Sequence, residues 1–319
     1  MKGIKLWLII AGVLMGTGLT LGAVGTARGG TWKFRLNVKN MSVSTSDSFV
    51  TETIKVDEFE TLKILSHVTD INIKPGDGYS ITYHVPEDRL PKIDQNGKTL
   101  TIDADEEEGF YIFDFTFASD ENPYIDITVP EKDFYGYFNL EGSTSDITIK
   151  NVNFEGDIQS STGDIRISDA ELGKLNLQTS TGDIFLNNLT VNSLKTKCST
   201  GEVTMKNVTI NGDYTSETST GDVTISSSSM DTFSLNGSTS DVKVTSSEIR
   251  KVNAKTSTGD VELSLKGEES DYSLELKSST GDIELGSSEF EKNYTKATDG
   301  NKSIAIHTST GDIDIDFVK

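Results

Sequence analysis

From residue 138 onward, apolar residues fall two apart with polar residues between them, and each such pair stands at a fixed distance from a short polar corner. The corner is Ser-Thr-Gly-Asp-Ile with small variations, and it recurs nine times, from Ser143 to Ile313. Before it come pairs such as Phe138/Leu140, Leu175/Leu177, Phe233/Leu235, Leu274/Leu276 and Ile304/Ile306. After it come Ile147/Ile149, Ile165/Ile167, Ile184/Leu186, Val203/Met205, Val223/Ile225, Val242/Val244, Val261/Leu263, Ile283/Leu285 and Ile313/Ile315. A period of two marks half-buried strands and not helices. Each repeat is therefore expected to hold two short strands joined at the corner.

The corner acids are Asp146, Asp164, Asp183, Glu202, Asp222, Asp241, Asp260, Asp282 and Asp312, separated by 18, 19, 19, 20, 19, 19, 22 and 30 residues. A near-constant step of this size marks a solenoid with one supersecondary unit per turn. One such coil cannot bury its apolar side alone. Stacked about 4.8 Å apart, nine coils form parallel ladders around a narrow core, in a rod on the order of 40 Å long. The expected fold is an all-β parallel solenoid, a β-helix, and the crossover rule makes it right-handed. In the corner, Gly suits a positive φ and Asp or Ser can bond the backbone of its own turn. Ser145 and Ser240 replace the Gly, so a strict positive-φ requirement is not secure.

Four segments follow from the pattern. Lys2 and Lys5 precede an uncharged run from Leu6 to Ala27, closed by Arg28, so residues 1–28 read as a transmembrane anchor or an uncleaved signal. That places the Lys-bearing end in the cytoplasm and the rest outside, as a single-pass membrane protein. Residues 29–52 read as a polar tether. Residues 53–137 are rich in strands without the motif, with Ile54/Val56, Leu62/Ile64, Ile71/Ile73, Ile81/Tyr83 and Leu100/Ile102 as inward pairs, and they cap the repeats of 138–319. Here Gln95-Asn96-Gly97-Lys98 predicts a type I′ hairpin turn. The aromatic run Phe110 to Phe117 reads as a hydrophobic cap, and the gap between Asp282 and Asp312 as a protruding loop.

Net charge narrows the partners. With 29 basic and 50 acidic side chains the chain carries −21, which repels nucleic acid and favours a cationic peptide, a protein partner or a cell-envelope component. The acidic file could collect Ca²⁺, but a turn explains each Asp without an ion, and the glycine-rich Ca²⁺ nonapeptide is missing. Thr179, Thr218, Thr256 and Thr308 share the parity of the apolar positions and are expected inside, which argues against an ice-binding Thr face. Cys198 fills the same slot as a small buried residue. His67, His84 and His307 have no metal-ligand spacing, and no nucleophile elbow or phosphate loop is present. Arg166 and Arg250, the only arginines of the repeats, mark no base beside a carboxylate cluster. No catalytic, cofactor or metal residue is assigned, and no cofactor is expected.

The strand-rich leader, Ile125-Asp126-Ile127-Thr128-Val129-Pro130 and the tandem Ser-Thr-Gly-Asp blocks together resemble a bacterial family of β-strand repeats called putative adhesins, a domain of unknown function. The resemblance covers roughly residues 53 to 319. With the N-terminal segment, the layout is similar to LiaG-type membrane proteins encoded beside cell-envelope stress regulators. It implies an extracytoplasmic β-helix, and no enzymatic residues to transfer. The function read from the sequence is a non-catalytic, membrane-anchored interaction module. The alternative is a carbohydrate-active enzyme acting on wall or extracellular polysaccharide, because β-helices also carry such enzymes.

Overall fold

The computed structural model describes residues 48–104, 122–131 and 134–318, together with the backbone of three short strands, Arg35–Asn37, Ser42–Ser44 and Tyr111–Asp114. The described chain is all-β apart from one 3-10 turn, Glu269–Asp271. The corners of successive coils stack directly over one another, and the strands on either side form parallel ladders in register. Ile165, Ile167 and Leu175 pair with Ile184, Leu186 and Leu194, for example. Side chains of one column thus meet their equivalents from the coils above and below. The column Ile147, Ile165, Ile184, Val203, Val223, Val242, Val261, Ile313 and Ile283 is buried throughout.

Each coil is longer in strand than the sequence pattern suggested. Ile184–Cys198 and Val203–Thr218 run as single strands from one corner to the next. A third inward pair lies between the two expected ones: Ala170/Leu172, Leu189/Val191 and Val208/Ile210 are all buried. The chain bends at a residue five positions after the corner acid, where Asn151, Asp169, Asn188, Asn207, Ser227 and Ser246 have φ of 50 to 60°. Asn and Asp tolerate this left-handed conformation better than other side-chain-bearing residues. The bend resets the inward–outward alternation, and two-strand parity alone cannot anticipate that.

The ends of the stack do not follow chain order. Val242–Thr258 pairs with Lys302–Thr310, and Val261–Lys266 pairs with Ile313–Val318. Those last strands pair on their other side with Tyr272–Leu285. The C-terminal coil is therefore inserted between the Asp260 and Asp282 coils. The wide gap before it is no protruding loop. Its strand Ser288–Lys296 runs antiparallel along Tyr272–Leu285 and closes the end of the stack, turning with it at Lys292. Acidic and basic side chains along an otherwise free edge discourage pairing with other chains.

The other end is built similarly. Thr61–Ser66 and Asp70–Gly76 make a coil beneath the first motif, and Thr99–Asp103 and Tyr124–Pro130 stack beyond it. Antiparallel strands Lys92–Asn96, Ser80–Pro86 and Phe49–Lys55 then finish the two ladders. The hairpin at Asn96/Thr99 forms as expected, but only Gly97 lies at positive φ, so the turn is not type I′, which needs two such residues.

The strand pattern starts at Phe49, not Thr53. Within the segment expected as a tether, Arg35–Asn37 pairs with Ser42–Ser44 and with Tyr111–Asp114 in a separate small sheet. The side chains of the aromatic run lie outside the described residues, as does the run from Leu6 to Ala27. Among the described residues no helix is long and apolar enough to cross a membrane.

Candidate functional site

The corner column is where the repeated polar residues meet. Every corner acid except Glu202 and the last in the stack, Asp282, turns one carboxylate oxygen onto the backbone N–H of the acid in the next coil. Asp164 N–H donates to Asp146 Oδ1, Asp183 to Asp164 and Glu202 to Asp183, each at 2.8 Å. Asp241 N–H donates to Asp222, Asp260 to Asp241, Asp312 to Asp260 and Asp282 to Asp312, at 2.8–2.9 Å. Charge-assisted bonds of this kind satisfy a donor that the sheet ladder leaves over at the bend. They also repeat the order of the stack, with Asp312 between Asp260 and Asp282.

The column begins one coil earlier than the motif. Asp146 N–H donates to Asp70 Oδ1 at 3.0 Å, so Ser66-His67-Val68-Thr69-Asp70 is a degenerate first corner. Burial holds the Asp70 carboxyl above the usual carboxylate range, with the charge of Asp146 acting in the same direction. The sequence signal was the Asp before Ile71/Ile73, without its Ser-Thr-Gly. Arg166 lies across the file, contacting Asp164 at 2.5 Å and Asp146 at 3.4 Å, with its guanidinium 5.0 Å from the Phe185 ring. Arg250 pairs with Asp231. Both repeat arginines thus sit on carboxylates in surface ion pairs, which their sequence positions did not mark.

Glu202 interrupts the ladder. Its longer side chain accepts from the Thr204 hydroxyl at 3.0 Å, and among the described residues no bond joins it to the Asp222 N–H. Glu202→Asp is expected to complete the ladder and to raise stability by about 1 kcal/mol in urea denaturation. An unchanged or lower midpoint would contradict that role.

The corner glycines answer to close approach between coils. At Gly163, Gly182, Gly201 and Gly221 φ is not in the left-handed range, yet an added Cβ would fall inside 3.0 Å of the carbonyl group of the equivalent residue one coil below. The two exceptions, Ser145 and Ser240, are explained three residues upstream. In those copies Gly142 and Gly237 stand where the others carry Ser160, Thr179, Cys198, Thr218, Thr256, Ser278 and Thr308. Every motif corner thus keeps one small side chain inside, from one position or the other. Thr179 Oγ1 accepts the Gly182 N–H at 3.0 Å, and the Cys198 thiol donates to the Gly201 carbonyl at 2.9 Å. Ser240 instead shares a hydroxyl contact with Thr218, and Ser145 one of 2.9 Å with Ser66. Cys198 is buried, and desolvation pushes its thiol up, away from reactivity.

A second polar file follows the left-handed bend. Asn207 Nδ2 donates to Asn188 Oδ1, and Asn188 Nδ2 to Asp169 Oδ1, both at 3.0 Å. Sequence reasoning missed it, although an Asn, Asp or Ser five residues after seven of the nine corner acids was the available signal. The grooves beside these files are surface features. One of about 530 Å³ is lined by Asn151, Asp169, Glu171, Asn188, Thr190 and Asn207.

The histidines lie apart. His84 bonds Thr51 at 2.7 Å and stacks between Phe49 and Tyr124, whereas His307 lies 3.5 Å from Glu275. The His67 carbonyl accepts from Thr144. Among the described residues no group of three or more His, Cys, Asp or Glu is arranged to hold a metal ion.

A repeat frame of this kind, with each corner held by its neighbour, has a known counterpart. The family model described as Toastrack DUF4097 matches residues 59–316. The chain belongs to this Toastrack family. The match begins at Phe59, just ahead of the first coil strand, and takes in every corner motif, leaving out the edge strand Phe49–Lys55. Solved structures similar to this Toastrack chain include a putative adhesin from Bacteroides fragilis, 17% identical over 86% of this chain and 98% of that one, with a TM-score of 0.47. Another putative adhesin, from Parabacteroides distasonis, is 13% identical over 85% and 97%, with a TM-score of 0.48. A structure named as a putative lipid binding protein, also from Parabacteroides distasonis, is 14% identical over 85% and 97%, at 0.43. No curated protein matches the chain.

Proposed function

We propose that this Toastrack chain is a non-catalytic interaction module, tethered to the cytoplasmic membrane by the segment from Leu6 to Ala27 and presenting a right-handed rod outside the cell. The observation that carries this reading is the contrast between the fixed corners and the outward rows. In register on one face stand Asp157, Asn176, Lys195, Thr215, Ser234 and Asn253, an acid, two amides, a base and two hydroxyls on an unchanging frame. Variation of this sort offers a recognition surface, as in other solenoids whose repeats share a scaffold. The carboxylates most alike in position are engaged in holding coils together. Glycoside hydrolysis needs two carboxyl groups facing each other across a sugar, whereas the corner acids run in a single file.

The partners this surface suits are a cell-envelope component, another protein or a cationic peptide, given the charge of −21. A place beside envelope-stress regulators accords with the LiaG-like layout. The test is a binding titration of the full-length chain against isolated cell envelopes and a cationic peptide at low and high salt. Saturable binding without turnover of wall polymer is expected. Release of sugars from wall polymer, or no binding under any condition, would overturn the reading.

A further inference from the structure

Tyr135 and Tyr137 project side by side from the strand Tyr135–Gly142, at 51% and 42% exposure, while Phe134 and Phe138 on either side are buried. Residues two apart on a strand stand about 7 Å apart on one face. Both rings lean the same way, along the stack. The Tyr137 hydroxyl donates to Asp157 Oδ2 at 2.6 Å, and the Tyr135 hydroxyl to Glu155 Oε2 at 3.4 Å. Asp157 is fixed in turn by Asn176, whose Nδ2 donates to its Oδ1 at 2.7 Å.

Gly173, in the strand Ile165–Thr179 two along from the tyrosines, makes the arrangement fit. A Cβ there would overlap the Tyr135 hydroxyl and the Glu155 side chain. Its φ is not in the left-handed range, so the backbone does not call for glycine at this position; the space under Tyr135 does. The result is a ring laid over the sheet, reaching across the neighbouring strand, and not one standing off into water.

We propose that Tyr135 and Tyr137 form a stacking platform for an uncharged pyranose polymer. The C–H faces of a sugar ring are apolar and lie flat on an aromatic face, while its equatorial hydroxyls need acceptors and donors at the ring edge. Glu155, Asp157 and Asn176 supply those edges in one row. Charge complementarity favours a neutral ligand over a cationic one. In a chain of net −21, Lys174 is close enough to act on Asp157, so the patch beside the tyrosines is not purely acidic. The hydrogen bond from Tyr137 and that from Asn176 hold Asp157 below the usual carboxylate range, so it stays an acceptor in mildly acid medium.

The platform is one means by which the interaction role proposed above would act, and it rests on that role. The test is calorimetric titration of the full-length chain with cellohexaose and with chitohexaose, and with hexalysine as the basic-peptide arm. The wild type is expected to bind at least one of the two glycans, with little change between low and high salt. Tyr135→Ala with Tyr137→Ala should weaken that binding about tenfold or more. Tyr137→Phe, which keeps the ring, should retain most of it. Gly173→Val, which evicts the Tyr135 hydroxyl without touching either tyrosine, should weaken it as well. Thermal unfolding serves as the fold control for each variant.

Failure of both glycans to bind, unchanged binding by the double variant, or salt-sensitive hexalysine binding at the tyrosines would each overturn the proposal. If the double variant still binds cell envelopes as the wild type does, the platform is refuted and the interaction role stands. Failure of the wild type on envelopes is the separate failure of that role.

Discussion

Gly201→Ala is expected to destabilise the protein by at least ~3 kcal/mol, whereas Gly286→Ala costs about 1–2 kcal/mol. A reading based on backbone conformation alone gives the opposite order. Gly286 has φ of +59° with nothing within 4 Å of an added Cβ, and Gly201 has no left-handed φ at all. What Gly201 lacks is room. Its added Cβ would fall inside 3.0 Å of the Gly182 carbonyl carbon and oxygen and of the Asp183 carboxylate. Two of those three are backbone atoms and cannot rotate away. The coil must then lift from its neighbour, and it would take with it the Glu202 N–H bond to Asp183 and the buried Cys198 thiol contact with the Gly182 carbonyl. Urea denaturation of both variants gives the order directly. A milder effect at Gly201 than at Gly286 would mean that the corners are not packed backbone to backbone.

Deleting residues 301–319 is expected to do much more than shorten the rod. In a solenoid stacked in chain order, loss of the last coil exposes the coil before it and leaves the rest intact, because stability is a sum over neighbours. Here the last coil has a neighbour on each side. Its removal strips partners from Val242–Thr258 and Val261–Lys266, and from Tyr272–Leu285 on the other side. The Asp282 coil and its cap strand Ser288–Lys296 would then have no stack to close. Amide exchange in residues 272–296 should rise towards the unfolded rate, while coils nearer Asp164 keep their protection. Retained protection in 272–296 would refute the insertion.

The coils were legible in the sequence because they are under the strictest constraint. A buried column such as Ile184, Val203 and Val223 must present the same parity in every repeat, so period and phase both survive in the sequence. The inward Thr179, Thr218, Thr256 and Thr308 followed from the same parity and are buried. The order of the last two coils was not legible. Asp282 and Asp312 sit in equivalent corners, and nothing in either motif says which one meets Asp260. The bend at Asn188 was missed for a different reason: it breaks the alternation on which strands are recognised, and its own signal is a single Asn, Asp or Ser per repeat. The degenerate corner at Asp70 kept the carboxylate and the inward small residue, Ser66, and the next coil bonds both. Tyr135 and Tyr137 stand outside any repeat, and their support by Gly173 is a contact between strands that a linear pattern does not carry.

One continuous stack holds all the coils, with the C-terminal coil interposed between those of Asp260 and Asp282. Engineered disulfides test it most directly. Lys255 and His307 are in register on adjacent strands, and His307 is in register with Lys277 on the strand beyond. Neighbouring strands bring Cα atoms within the range a disulfide spans, and strands two apart, at about 9.6 Å, do not. Lys255→Cys with His307→Cys is expected to oxidise readily to an intramolecular bond, and Lys255→Cys with Lys277→Cys is not. Ready bonding between 255 and 277, with none between 255 and 307, would contradict it and return the coils to chain order.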